Sequence, residues 1–503
     1  MRKILKKVGI ILLTILLIMT GCKGKEIKDE KYKTLIVSDF NGVDPEKINQ
    51  YDIDIVFSPK DATIKGIQRI NYVNNEETPL SEVYFHLYPN SFRKKETAPF
   101  LMDDFDRAYP DGFKPGFIDV KKVCIGNKQV NYTLKGKGKT IMKIVLPHAI
   151  KPKDKILIEM EYTVKIPPAR ERFGYKEDTF NIGNWYPVVA VYDKTGWNLD
   201  PYYPLGDPFY SDVSNYKVCI ETPKDYVVAA SGNIIKDEII DNNRLWHIEA
   251  KLMRDFAWVV SKDFEVIEKN VEGTKLKMYF MKDMYSNKEI INRAVNSAKN
   301  ALKIFNHVYG KYPYGQYSVV QTNFPSGMEY PGIVFIDKNA YSDEWLDYLE
   351  TVIVHETAHQ WWYGIVGNDE IDEAWLDEAL TAYSEVVYFK ELHGDEWGEN
   401  YHRYMNEQAY KNAVSSIENE VILKPLSKFE GWDDYGALVY NKGAMFVNAI
   451  YEKYGKKKFY EIMQKYYQNY RFKNATTKDF KKVCEEVTGE DLDVFFDEWL
   501  LAQ

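Results

Sequence analysis

The 503-residue chain holds only four cysteines and has no long apolar stretch. Besides Cys22 the cysteines are Cys124, Cys219 and Cys484, whose separations match no metal-ligand spacing. Cys124 and Cys219 sit in the strand-like runs KKVCIG and YKVCIE, where a thiol serves as a small buried hydrophobe. Basic residues are in deficit, 66 against 75 acidic, for a net charge of −9, which argues against nucleic acid as a partner. Internal repeats and low-complexity segments are also missing. What remains is ordinary for a folded protein, 45% hydrophobic and 28% charged, with an unusually high aromatic content of 15%. The length suggests about two to three domains at ~150 residues each.

The longest apolar run, Val8 to Met19, follows the basic residues Arg2, Lys3, Lys6 and Lys7. As a helix it would reach about 18 Å at ~1.5 Å per residue, short of the ~30 Å hydrocarbon core, so it reads as a secretory signal rather than a span. It ends in IMTGC, which resembles a bacterial lipoprotein cleavage box, with Cys22 as the lipidated residue. The expectation is a protein held by lipid to the cell membrane and facing outside the cytoplasm. Removing residues 1–21 takes away four basic and no acidic residues, which deepens the net charge to −13. A plain secretory signal or short anchor with Cys22 incidental is the blander alternative.

Residues 22–49 are polar and aperiodic and read as a tether. From 50 to 268 the hydrophobic period is near two, with turn residues between short runs, as in YDIDIVFSPKDATIKGIQRINYV. This predicts an N-terminal antiparallel β domain. After 268 the period changes: SNKEIINRAVNSAKNALKIFNHVYG places Ile291, Ala294, Val295, Ala298, Leu302 and Phe305 on one helical face. Ser286 or Asn287 is the expected N-cap and Gly310 the stop. Residues 269–503 are expected to be mainly helical.

Within that half lies VIVHETAHQWWYG. On a helix His355 and His359 stack on one face and can share one metal ion, while Glu356, turned by about 100°, suits a base acting on water. A pair of satisfied core histidines is the structural alternative. A catalytic zinc needs a third protein ligand, and the next helical stretch, DEAWLDEALTAYSEVVYF, offers Glu378, nineteen residues after His359. On composition alone Asp369, Glu370, Asp372, Glu373 and Asp377 compete with it.

These residues together resemble the zinc aminopeptidases of the aminopeptidase N type, a gluzincin family whose usual second motif is W-L-N-E-G. Here it is WLDEA, with Asp377 and Ala379 in place of Asn and Gly. SGMEYPG resembles the family's G-x-M-E-N strand, and VYNKGA its Y-x-K-G-A motif. The resemblance implies a β-sandwich-like N-terminal domain and a thermolysin-like catalytic domain without the large C-terminal helical domain of longer members. It implies one Zn2+ per chain on His355, His359 and Glu378, Glu356 as base and Tyr440 as oxyanion donor. Gly327, Met328 and Glu329 would bind the peptide substrate, Glu329 through its free amino group. Tyr330 stands where the family has Asn, and a second amine-side residue is expected from the β domain, with Asn184 as the candidate. A thermolysin-like endopeptidase and a catalytically silent, lipid-anchored peptide-binding protein are the competing readings. HQWWYG is expected to be core.

Overall fold

The computed structural model describes residues 34–101 and 104–501. The signal segment, Cys22 and the first part of the tether lie outside these.

Alternating burial dominates the N-terminal domain, as in Thr63–Val73, where every second side chain is buried. That alternation gives a sheet one wet and one dry face. Eight strands form its main sheet, with Gln50–Ser58 at the middle. Pairing there is antiparallel except between Gln50–Ser58 and Ser214–Pro223, which run parallel. Two four-stranded sheets pack with it around Trp185, Tyr186 and Trp258.

The C-terminal half begins with a five-stranded sheet ordered Phe264–Val271, Thr274–Met281, Gln316–Thr322, Ile333–Asp337 and Gly327–Met328. The expected boundary at 268 therefore falls inside a strand, and the change of architecture comes before Phe264. Periodicity could not place it, because Phe264–Val271 is a β-strand like those before it and differs in the sheet it joins. Helix α1 (Lys288–Val308) buries all six predicted face residues, and Asn287 accepts a capping bond from Ile290 N–H at 3.3 Å. It packs on α2 (Leu346–Ala358), which packs on α3 (Trp375–His393), and α3 on α4 (Gly443–Tyr470). Trp361, Trp362 and Tyr363 are buried; the Trp361 indole donates to Gly310 O at 2.8 Å and that of Trp362 to Ser384 Oγ at 3.1 Å.

The tether expectation needs correction from Thr34 onward. Ile36 N–H donates to Pro313 O at 2.8 Å, Leu35 bridges Tyr314, Phe40 meets the Phe472 ring, and Asp39 pairs with Arg471. Polar composition hid this docking, since it is made through backbone and a few side chains against residues distant in sequence.

Arg254 rivets the domains together. Its fully buried guanidinium donates to Ser211 O at 2.6 Å within the β domain and to Tyr363 O at 2.9 Å and Lys473 O at 3.1 Å across the interface, and it also reaches Asn474 Oδ1. Gly367 makes room for it, because a Cβ there would lie 2.1 Å from Arg254 Cζ. A buried charge removed from such a set leaves several carbonyls unsatisfied, at a cost of about 3–5 kcal/mol. Arg254→Met is accordingly expected to lower the denaturant midpoint by an equivalent amount in a urea titration; a loss below about 1 kcal/mol would contradict the rivet.

Candidate metal centre and active site

Helix α2 carries the apolar run VIV in its second half and buries it, with Leu349, Val352, Ile353, Val354 and Ala358 all in the core. It ends at Ala358, yet His359 N–H still donates to His355 O at 3.2 Å, so the two imidazoles stay on one face. Their Nε2 atoms lie 3.1 Å apart. Both Nδ1 atoms are engaged by carboxylates, His355 with Glu385 Oε1 at 2.6 Å and His359 with Asp377 Oδ1 at 2.5 Å. A carboxylate partner fixes Nδ1 as the protonated nitrogen and leaves the Nε2 lone pair free.

Glu378, in the first turn of α3, completes the group. Its Oε2 stands 3.4 Å from His355 Nε2 and 3.3 Å from His359 Nε2, is buried, and has no hydrogen-bond partner. Two facing lone pairs and a buried carboxylate oxygen repel one another unless positive charge sits between them. With no metal present, protons must supply it. Burial opposes the charge on His355, but the carboxylates of Glu378 and Glu385 beside it outweigh that and hold the imidazole up at about 10. Burial likewise pushes Glu378 up, and His359 and His355 pull it far below the usual carboxylate range. A divalent cation answers the same demand with neutral imidazoles, and an N2O donor set with an open fourth side suits zinc.

Two other groupings of possible ligands exist among the described residues. One, Glu329, His359 and Asp377, shares His359, and its Asp377 is already bonded to His359 Nδ1. The other, Glu485, Asp491 and Asp493, is partly or fully exposed, and its members are engaged by Leu492 N–H and Lys481.

The remaining predicted residues converge on the same cleft. Gly327–Met328 is the edge strand of the five-stranded sheet, bonded on one side only, to Ile333–Asp337. Gly327 lies against Glu356: a Cβ there would meet Glu356 Oε1 at 2.0 Å. The Met328 side chain is buried in a core cluster with Phe335, so only its backbone belongs to the edge. Glu329 lines the cleft, with Oε1 buried and unpartnered; burial and then the charge of Asp207 push its pKa well above the carboxylate range. Glu356 is raised to about 7, chiefly by burial. Tyr440 donates to Glu378 Oε1 at 2.5 Å from a π-helical turn, Gly436–Lys442, an irregularity common at functional sites. The glycine of its motif has a packing reason, since a Cβ on Gly443 would lie 2.6 Å from Ala379 Cβ.

Asn184 is not where sequence reading expected it. Its amide donates to Asp255 Oδ2 at 3.0 Å and its carbonyl accepts from the Tyr330 hydroxyl, so both ends are used in a buried link between the domains. Tyr330, in place of the family's Asn, reaches into the β domain; a Cβ on Gly183 would lie 2.0 Å from its hydroxyl. The β-domain carboxylate that does line the cleft is Asp207, held from behind by Arg172, which also binds Glu171 at 3.1 Å. Nothing in the sequence around Asp207 marked it. Glu385 carried a signal, lying seven residues after Glu378 on the same face of α3.

Comparison with known proteins agrees with this geometry. Residues 293–499 match the peptidase family M1 domain. The chain is 24% identical over 307 residues to aminopeptidase M1-B of Oryza sativa subsp. japonica, covering 58% of this chain and 34% of that protein. It is 21% identical over 403 residues to leukotriene A-4 hydrolase of Xenopus laevis, covering 75% and 62%. The chain thus spans between about a third and three fifths of these curated relatives. A crystal structure of an M1 zinc metallopeptidase from Deinococcus radiodurans shares the fold over 91% of this chain and 94% of its own, with a TM-score of 0.64 at 15% identity. Fold, ligand trio and matched residues agree: residues 293–499 carry the likeness to the peptidase family M1 domain.

Proposed function

We propose that the protein is a zinc-dependent aminopeptidase that removes residues one at a time from the N-terminus of peptides. The observation that carries this reading is Glu329, a buried carboxylate with an unpartnered oxygen at the end of a free strand edge, in the cavity that also holds His355, Glu356, His359 and Glu378. A peptide can extend that edge by backbone pairing, and its ammonium then meets Glu329, with Asp207 adding negative charge nearby. Such a stop at the amine end fixes which bond faces the metal site.

Zinc held by His355, His359 and Glu378 would supply the Lewis acid that acidifies water and polarises the scissile carbonyl. Glu356, which lines the same cleft as the ligand trio, accepts a proton from water and returns it to the leaving amine. The Tyr440 hydroxyl turns from Glu378 to the carbonyl oxygen as charge builds there, a donor of the kind worth about 3 kcal/mol. Asp377 and Glu385 hold the two imidazoles in the tautomer that keeps Nε2 free. An endopeptidase gains nothing from Glu329, which weighs against that alternative. The intact trio, Glu356 and Tyr440 weigh against a silent binding protein.

The basic start, the apolar run and IMTGC support a lipid anchor on Cys22 that places the enzyme on the outer side of the cell membrane, a location where peptides are accessible. Among the described residues no helix is long and apolar enough to cross a membrane.

Removing one partner of a partly desolvated charge pair costs about 2–5 kcal/mol. Glu329→Ala is therefore expected to lower kcat/KM on free-amine peptides by roughly thirty-fold or more while zinc content holds, with Glu356→Gln as the zinc-loaded inactive reference. N-acetylated peptides should be poor substrates; efficient cleavage inside them would favour the endopeptidase. For the anchor, labelled fatty acid should enter the wild-type chain and not Cys22→Ser, and equal labelling would refute it.

A further inference from the structure

A second cavity of about 610 Å³ opens from the cleft through Asp207, Ser326, Gly327 and Tyr440, which line both. Its position follows the proposed substrate register. With the ammonium at Glu329 and the carbonyl at Tyr440, the first residue's Cα lies between them, and its side chain has this cavity to enter. The opposite part of the cleft, lined by Tyr348, Thr351 and Val352 of α2, is left for the departing peptide.

Aromatic rings form much of the cavity wall, among them Phe100, Tyr202, Phe324 and Trp432. Its charges are almost all committed. Arg107 pairs with Asp104 at 2.7 Å, and Asp104 also accepts from the Trp432 indole at 3.0 Å. Arg172 takes Glu171 and Asp207, and Glu171 further accepts from the Arg172 backbone N–H at 3.0 Å. Arg170 differs from the rest. Its guanidinium lines the cavity without a carboxylate within 4.0 Å among the described residues, and its buried Nε has no hydrogen-bond partner. Its backbone is fixed by the bond from Arg170 N–H to Ala108 O at 2.8 Å. A half-buried arginine in the cavity wall, with no carboxylate within 4.0 Å among the described residues, is a receptor for a carboxylate, which it can meet with two parallel bonds.

We infer that Arg170 is a specificity-determining residue, selecting substrates whose N-terminal residue carries a side-chain carboxylate. The inference rests on the aminopeptidase reading. A basic side chain would share Asp104, Glu171 and Asp207 with the arginines already on them, whereas an acidic one meets in Arg170 a guanidinium with no such carboxylate among the described residues. The other carboxylate a peptide offers is its C-terminus, which a very short substrate could bring to the same guanidinium.

The test compares kcat/KM for glutamyl, glutaminyl and leucyl p-nitroanilides, none of which has a C-terminal carboxylate, using the zinc-loaded full chain. Wild type is expected to prefer glutamyl over glutaminyl by about tenfold or more, because glutamine matches the size but not the charge. Arg170→Gln should bring that ratio to about one while changing leucyl turnover less than about threefold, and Arg170→Lys should retain part of the preference. A ratio within one enzyme does not respond to general damage, so a merely structural Arg170 would leave it unmoved. Equal use of glutamyl and glutaminyl substrates by wild type, or an unchanged ratio in Arg170→Gln, overturns the inference. So does an effect of Arg170→Gln confined to dipeptides over their C-terminal amides. Leucyl turnover without glutamyl preference sinks the inference alone, and no turnover of any free-amine substrate sinks the aminopeptidase reading beneath it.

Discussion

Two imidazole nitrogens 3.1 Å apart, with a buried carboxylate oxygen 3.3 and 3.4 Å from them, set the requirement the catalytic half has to meet. Negative potential and facing lone pairs are stable there only with a small cation or with extra protons. Much of the surrounding structure serves to keep that demand in place. Asp377 and Glu385 fix the tautomers, the last turn of α2 is packed in the core around Val354 and Ala358, and Tyr440 closes on Glu378 from the π-helical turn that precedes α4. The cost of burying these charges is of the order of several kcal/mol per ion, and a metal that recovers it binds tightly for the same reason.

The β domain matters to this site less for its own chemistry than for where it holds the edge strand. Tyr330 directly follows Glu329 and is fastened to Asn184, which is fastened to Asp255; Arg254, beside Asp255, reaches Tyr363 at the end of the zinc-helix motif. Tyr363 sits at a φ of 108°, a conformation a tyrosine adopts only when its surroundings hold it. Domain docking, the position of Glu329 and the far end of α2 are thereby one packed unit. Loosening the interface is expected to disturb the amine-binding end of the cleft before it disturbs the metal ligands.

How much of this was legible in the sequence follows from the range of the interactions. His355, Glu356 and His359 share one helix, and Glu378 and Tyr440 sit in short motifs whose residues do their work locally, so pattern and resemblance found them. The burial of α1 and of HQWWYG was readable for the same reason. The domain boundary was misplaced by a few residues because Phe264–Val271 is a strand like those before it, and which sheet it joins is decided by its pairing with Thr274–Met281. Asn184 was misassigned because its neighbours in sequence say nothing of Tyr330, 146 residues away, which occupies it. Asp207, Arg172 and Arg170 went unnoticed because a charged residue in a loop looks solvated until packing brings it to a cavity. The docking of residues from Thr34 onward against Pro313 and Arg471 is of the same kind.

The central claim is that one zinc ion sits at the meeting point of α2 and α3. Anomalous X-ray scattering at the zinc edge from crystals of the zinc-loaded protein tests it most directly. One strong peak is predicted within bonding distance of His355 Nε2, His359 Nε2 and Glu378 Oε2, at ~2.0–2.2 Å, with its open side toward Glu356 and Tyr440. A peak instead among Glu329, His359 and Asp377, or only at the surface group of Glu485, Asp491 and Asp493, would contradict the account.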